Sequence, residues 1–93
     1  MSFLLKDPGA ILDYAVDWGA EYLDSDAIAA SGWEVAPVEA GGVSVVGSAF
    51  DFKISTVTAN GGVPGHQYRL TNHVVMASGR EDERSIVLRV EQR

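Results

Sequence analysis

Strict alternation of apolar and polar residues is the feature that most constrains the fold of this chain. In residues 68–76 one parity is apolar and the other is polar. The apolar parity consists of Tyr68, Leu70, Val74 and Met76, and the polar parity includes Arg69, Thr71 and His73. Successive side chains of a β-strand point to opposite faces of a sheet, so this pattern predicts a half-buried strand. A helix would scatter the same apolar residues around its circumference.

The two-residue period recurs through most of the chain. Clear segments are ILDYAVDW at residues 11–18, IAASGWEVA at residues 28–36 and SIVLRV at residues 85–90, and VSVVGSAF at residues 43–50 is a further strand candidate. Gly32 weakens the second segment and predicts a bulge there. In residues 50–59, FDFKISTVTA, the apolar parity changes. This change indicates either a β-bulge near Ser55 or two short strands that meet there.

These segments together predict the fold class. About six or seven short strands, with turn signals roughly every 8–12 residues and no long helix, are typical of a β-sandwich or small barrel. Tyr68 follows the turn NGGVPG, where immunoglobulin-like sandwiches place a corner tyrosine bonded to upstream backbone. We therefore predict an all-β, immunoglobulin-like antiparallel β-sandwich, with Trp33 filling the space between its sheets.

The length of 93 residues suits one domain. We assign residues 11–93 to the sandwich. Residues 1–10 contain SFLLKDPGA, which is apolar, ends near a proline and has no evident place in the core of a lone domain. We expect these ten residues to form an N-terminal arm that docks on a neighbouring protein.

Charge and hydropathy exclude two classes of partner. The net charge of −6 argues against nucleic acid, and the apolar runs are far shorter than the ~20 residues that span a bilayer. Residues 1–51 carry nine acids and one lysine, a balance of −8, whereas residues 52–93 carry four acids and six bases, a balance of +2. This asymmetry indicates either a solvated acidic surface or opposite charges that meet between subunits.

No residue pattern in the chain supports catalysis, a cofactor or a metal. NGGVPG lacks the order of a phosphate-binding loop and precedes a strand. His66 and His73 are seven residues apart on an extended segment, so they point to opposite faces and cannot share a metal. We interpret DSD at residues 24–26 as a turn, and EDER at residues 81–84 as solvated charge in a hairpin loop. The apolar parity of the two tryptophans favours core packing over sugar stacking.

The expected contact surface is protein-binding and has two parts. One part is the apolar arm, and the other is the exposed parity of the last hairpin. The candidate partner-binding residues are Phe3, Leu4, Leu5, Arg69, His73, Val87 and Arg89.

Four segments in order resemble a known family. They are LDYAVDW, DAIAASGWEV, NGGVPGHQYRLTNHV and GREDERSIVLRV. Together they are similar to small virion structural proteins of tailed bacteriophages, of the fibre–tail adaptor type, which have an immunoglobulin-like sandwich fold. The residues that fit the family pattern are Tyr14, Asp17, Trp18, Asp26, Ile28, Ser31, Trp33, Gly61, Gly62, Gly65, Tyr68, Asn72, Gly79, Arg80, Asp82, Glu83, Arg84 and Ser85.

The resemblance implies a non-enzymatic adaptor that is made in the host cytoplasm and resides in the tail region of the virion. Its partners would be other tail, neck or fibre proteins, and several copies would form a homo-oligomer or ring. The alternative hypothesis is an immunoglobulin-like module that binds carbohydrate or a cell surface.

Overall fold

A computed structural model describes residues 2–20 and 26–92 and shows an all-β protein. The strands are β1 (Ser2–Lys6), β2 (Ile11–Asp17), β3 (Ile28–Ala36), β4 (Ser44–Phe50), β5 (Ile54–Asn60), β6 (Gln67–Met76) and β7 (Glu81–Val90). A single 3-10 turn, Trp18–Ala20, follows β2. No described helix has the length and hydrophobicity to cross a membrane.

The strands form two sheets that pack face to face as a sandwich, so the predicted fold class is confirmed. One sheet has four strands in the order β1-β7-β6-β3, and the other has three in the order β2-β5-β4. Strand β1 runs parallel to β7, whereas the other neighbours are antiparallel. The side chains between the sheets form one apolar core, and the opposite side of each sheet, its outer face, is directed toward solvent.

The two-residue period places the core residues as predicted. The apolar parity of β6 and of β7 is buried, and β5 contributes Val57 and Ala59 from the other sheet. The buried apolar residues are Val16, Trp18, Ile28, Val43, Val57, Ala59, Tyr68, Leu70, Val74, Met76, Ile86, Leu88 and Val90. Trp33 is partly buried against this cluster, as expected for a residue between the sheets. Burial of one face per strand therefore drives the assembly.

The ambiguous segment 50–59 is a hairpin. Residues 51–53 turn the chain, and β5 begins at Ile54 with Ser55 on its buried parity. Of the two alternatives, two short strands that meet near Ser55 is the one confirmed, and the register shift lies in β4, between Val45 and Gly47. In β3 the shift lies between Ile28 and Ala30 and not at Gly32.

The acidic segment EDER does not lie in a loop. Glu81–Arg84 is the first part of β7 and pairs with residues 72–75 of β6. The hairpin turn is confined to residues 77–80, because the Met76 amide donates to the Arg80 carbonyl at 2.7 Å and Gly79 has a φ of 94°. The prediction of a loop was wrong because these residues are polar on both parities and yet pair with the part of β6 that contains buried Val74.

The N-terminal segment also packs differently from expectation. Residues Ser2–Lys6 pair with Ile86–Val90 of the same chain as the edge strand β1. Lys6 is only 1% exposed, and its ammonium donates to the carbonyls of Asp7, Ala10 and Gly61 at 2.9, 2.6 and 2.7 Å. Desolvation lowers the pKa of Lys6, against the opposing effect of the Asp7 charge. Residues 2–6 thus pair within their own chain, and the docking of residues 1–10 on a neighbouring protein stays a prediction.

Tyr68 forms the predicted corner. Its ring is buried, and its hydroxyl accepts a hydrogen bond from the Val63 amide at 3.0 Å while donating to the carboxylate of Glu39. Gly62 has a φ of 121°, and a Cβ there would lie 2.5 Å from a methyl of Val90. The glycine-rich segment is therefore a tight turn packed on the core, which requires glycine for both conformation and space.

Replacing Tyr68 with Phe should destabilise the protein by about 1–2 kcal/mol, because the buried Val63 amide loses its partner. The matched control is Tyr14→Phe, since the Tyr14 hydroxyl is buried with no hydrogen-bond partner among the described residues. We expect that control to be neutral or slightly stabilising. Chemical denaturation of both variants measures the difference, and equal stabilities would contradict the corner assignment.

Candidate functional site

The outer face of the four-stranded sheet is the candidate contact surface. The register aligns Arg69 with Val87, and Arg89 with Leu5. Leu5 is 47% exposed, and Arg69 is also exposed. Strand β6 adds His73 farther along the same face. Five of the predicted partner-binding residues, distant in sequence, thus lie on one surface.

The two remaining candidates do not belong to this described surface. Leu4 pairs with Leu88 and shares its inward parity, although 39% of Leu4 is exposed at the open side of the sandwich. The backbone of Phe3 pairs with Val87, but the Phe3 side chain lies outside the described residues. Leu4 therefore faces the opposite side from Leu5, since neighbouring strand residues alternate, and its role in partner binding stays a prediction.

A shallow groove of about 300 Å³ crosses one end of this face. It is open to solvent and is lined by Ala36, Pro37, Gln67, Tyr68, Arg69 and Val87. Among the described residues, no carboxylate lies within ion-pair distance of Arg69. The groove therefore combines an apolar floor with a guanidinium that can donate hydrogen bonds to the carboxylate of a partner.

The two histidines lie at separate carboxylate clusters. His73 lies 3.1 Å from Glu83 and 2.9 Å from Glu81, whereas His66 lies 2.8 Å from Glu39. Hydrogen bonds to Glu83 and then Glu81 raise the pKa of His73. Hydrogen bonds from Tyr68 and then His66 lower the pKa of Glu39.

The described residues contain no group of three or more histidine, cysteine, aspartate or glutamate side chains arranged to hold a metal ion. Of the DSD segment, Asp24 and Ser25 lie outside the described residues. The carboxylate of Asp26 accepts hydrogen bonds from the Ser78 amide and hydroxyl at 3.1 and 2.7 Å. Asp26 thus ties the start of β3 to the β6–β7 turn.

The second half of the chain does not form a basic surface. Arg89 lies 2.7 Å from Glu91, and the guanidinium of Arg84 lies 4.9 Å from the ring centre of Trp18. The ammonium of Lys53 lies 5.3 Å from the ring centre of Phe52. These contacts place Arg89 beside an acid and Arg84 and Lys53 beside aromatic rings, and the contact of opposite charges between subunits stays a prediction.

A polar network crosses the interior of the sandwich. The Trp18 indole N–H donates to the Asn72 side-chain oxygen at 2.8 Å, and the Asn72 amide donates to the Ser31 hydroxyl at 2.9 Å. The hydroxyls of Ser31 and Ser55 are 2.7 Å apart, and the Trp33 indole donates to Ser55 at 2.9 Å. Trp18 is buried, so neither its ring nor its N–H is presented as a sugar-stacking platform.

Sequence reasoning missed two surface features. Glu39 joins the Tyr68 hydroxyl to His66 across 27 to 29 residues, and no local pattern indicates this contact. The β4–β5 hairpin exposes Phe50, Phe52 and Ile54. The parity change in FDFKISTVTA is the signal for that exposure, because Ile54 cannot share the buried parity of Val57.

The structure defines a small all-β sandwich whose described surface offers broad, shallow contact faces, as in a structural or protein-binding module. The model of a family described as podophage GP4 fiber-tail adaptor protein gp77 matches residues 6–89. The chain belongs to this family, which confirms the resemblance seen in the sequence. No curated protein matches the chain.

Several of the residues that carry the resemblance build the interior and the corner of the sandwich. Trp18, Ser31, Trp33 and Asn72 form the polar network, and Tyr68 forms the corner. These motifs therefore describe how the sandwich is built, whereas the outer-face candidates Arg69, His73, Val87 and Arg89 lie outside the matched pattern.

Replacing Asn72 with Ala should destabilise the protein by roughly 2–4 kcal/mol, because a cavity forms and the buried indole of Trp18 loses its acceptor. Thr71→Val is the matched control on the neighbouring, half-buried position, where the hydroxyl lies 3.0 Å from that of Ser85. That control should change stability by less than about 1 kcal/mol. Denaturant melts compare the two variants, and a similar small loss in both would show that the network contributes little.

His73 should titrate above its ordinary pKa in the folded protein, because Glu83 and Glu81 accept its hydrogen bonds. Its stabilising effect is fully present below the unfolded pKa of about 6.5 and is lost as the pH rises through the folded value. An NMR titration of the imidazole measures this shift. The double variant Glu81→Gln, Glu83→Gln should return the pKa of His73 toward its ordinary value, whereas Glu34→Gln should leave it unchanged.

Proposed function

We propose that this protein is a non-enzymatic adaptor that joins tail, neck or fibre components of a phage virion through protein–protein contacts. Family membership supports the adaptor role. We choose the outer face of the four-stranded sheet as the contact surface because four predicted partner-binding residues lie together on it: Leu5, Arg69, Val87 and Arg89.

The composition of that face suits a protein partner. Interfaces are enriched in arginine and contain apolar anchors surrounded by polar groups. Here Val87 lines the groove beside Arg69, and exposed Leu5 lies on the adjacent strand pair. A partner side chain that places a carboxylate beside Arg69 and an apolar group on Val87 and Pro37 would use the whole groove.

We infer that the sandwich is immunoglobulin-like in topology. In immunoglobulin constant domains one sheet contains strands B, E and D, and the other contains C, F and G. The orders β2-β5-β4 and β3-β6-β7 correspond to these two sets, with β1 added beside β7. The corner formed by Tyr68, near the start of the penultimate strand, agrees with this assignment.

The adaptor would act in several copies in the tail region, after synthesis in the host cytoplasm. A domain of 93 residues leaves a large fraction of its surface exposed, and contacts with neighbouring virion proteins would cover part of it. Such contacts would use the broad, shallow faces that the described surface presents.

Arg69→Glu should strongly reduce incorporation into virions while leaving the fold intact, because it reverses the charge of a residue that lines the groove. Phage lacking the gene would be complemented with each variant, and the protein content of purified virions would be measured by mass spectrometry. Arg80→Glu is the matched control, since it makes the same change in the β6–β7 turn at the opposite end of the molecule.

We expect at least a ~10-fold loss of incorporation for Arg69→Glu, which corresponds to about 1.4 kcal/mol of binding energy, and little loss for Arg80→Glu. Circular dichroism melts establish that both variants fold. Wild-type incorporation of a folded Arg69→Glu protein would rule out this face as the contact surface.

A further inference from the structure

The sandwich has four edge strands, and they differ in how their free edges are protected. Exposed strand edges can pair with other strands, and proteins block this with charges, bulges or short strands. Strand β2 carries exposed Asp13 and Asp17, and β3 carries a register shift and exposed Glu34. Strand β4 carries a register shift between Val45 and Gly47. Each of these three edges thus has a feature that opposes pairing.

Strand β1 has neither a bulge nor an exposed charge. Its sequence is SFLLK, and its only charged side chain, Lys6, is buried and bonded to backbone carbonyls. Leu4 and Leu5 are 39% and 47% exposed. On the side away from β7, no described strand pairs with β1. Among the described edges, β1 is therefore the one best suited to accept another strand.

The backbone of β1 shows which groups are available. The Glu91 amide donates to the Lys6 carbonyl at 3.0 Å, so the polar backbone groups of Lys6 point toward β7. Alternate residues of a strand direct these groups to opposite sides. The N–H and C=O of Leu4 therefore also face β7, whereas those of Phe3 and Leu5 face the open edge.

We propose that two copies of this chain pair through their β1 strands, antiparallel across a two-fold axis. The open groups of Phe3 and Leu5 define the register: Phe3 of each copy would exchange two hydrogen bonds with Leu5 of the other. Leu4 would then oppose the second Leu4 at the axis, in a non-hydrogen-bonded pair with a Cα separation of about 4.5 Å. This arrangement covers an inward-parity leucine that the single chain leaves partly exposed.

A second copy fits this edge for reasons of charge and symmetry. The chain carries a net charge of −6, so copies repel each other at the acidic edges of β2 and β3. Residues 2–6 contain no carboxylate, and of the two edge strands without one, β1 and β4, only β1 also lacks a register shift. Since β1 is the one unprotected described edge, a strand contact between two copies has to use it twice, which gives an isologous pair. The inference does not depend on the adaptor role.

The short ladder predicts a weak dimer. Contacts that bury less than about 1,200 Å² are characteristic of transient complexes. Sedimentation velocity and light scattering of the full chain, from about 10 μM to about 1 mM, should show the mass rising from that of the monomer toward twice its value. The monomer mass is 9.9 kDa.

Two variants distinguish an effect on pairing at the β1 edge from an effect on folding. Leu5→Pro removes an N–H that faces the open edge and leaves the bonds to β7, so it should weaken pairing at least ~10-fold. Leu4→Lys places two ammonium groups opposite each other at the axis and should have the same effect. Leu5→Thr retains the N–H and is the matched control, which should pair like the wild type. Circular dichroism melts identify any variant that fails to fold.

Amide hydrogen exchange provides an independent measurement on the unmodified protein. Protection of the Leu5 amide should rise with protein concentration, whereas the Leu4 amide should be protected at every concentration. A wild-type chain that stays monomeric up to about 1 mM would overturn the proposal, as would a folded Leu5→Pro variant that pairs normally. A third outcome is also informative. If the wild type stays monomeric but the Leu5→Pro variant is lost from virions, the edge of β1 pairs instead with a strand of another virion protein.

Discussion

The hydrogen bonds of the Asn72 side chain are the interactions on which the arrangement of the two sheets depends. The side chain accepts a hydrogen bond from the Trp18 indole N–H and donates to the Ser31 hydroxyl and the Gly32 carbonyl, so its donors and its acceptor oxygen are used inside the sandwich. An unpaired buried polar group costs about 1–3 kcal/mol. A one-residue slip of β6 would turn Asn72 outward and leave several such buried polar groups without a hydrogen-bond partner. The network therefore selects one register among many apolar alternatives.

The ends of the sandwich are held by polar contacts between side chains and backbone. The side chains of the outer face therefore contribute little to holding the fold together. At one end Tyr68 and Lys6 fasten the glycine turn and the β1–β2 connection. At the other end Asp26 fastens the β6–β7 turn. Since stability comes from the core and these ends, the side chains of Arg69 and Val87 can be directed to contact with a partner.

The charged side chains of the second half of the chain interact mainly with their nearest neighbours. The positive balance of the second half suggests a basic surface, but the register of β6 and β7 places His73 beside Glu81 and Glu83. Arg84 lies over an aromatic ring and Arg89 beside an acid. Exposed pairs of this kind are screened and contribute little stability. Among the described ion pairs none involves Arg69, so its guanidinium is available to an external carboxylate.

The sequence by itself determined most of the strands, the buried parity of β6 and β7, the corner tyrosine and the family, because period and turn chemistry are encoded by neighbouring residues. Only the tertiary structure decided the strand order, the burial of Lys6 and the contact between Glu39 and Tyr68. Those features join residues 29 to 55 positions apart, and such pairings depend on which surfaces meet after collapse. The EDER segment shows a different limit: its polarity predicts a loop, but pairing with residues 72–75 across the adjacent hairpin makes it part of β7.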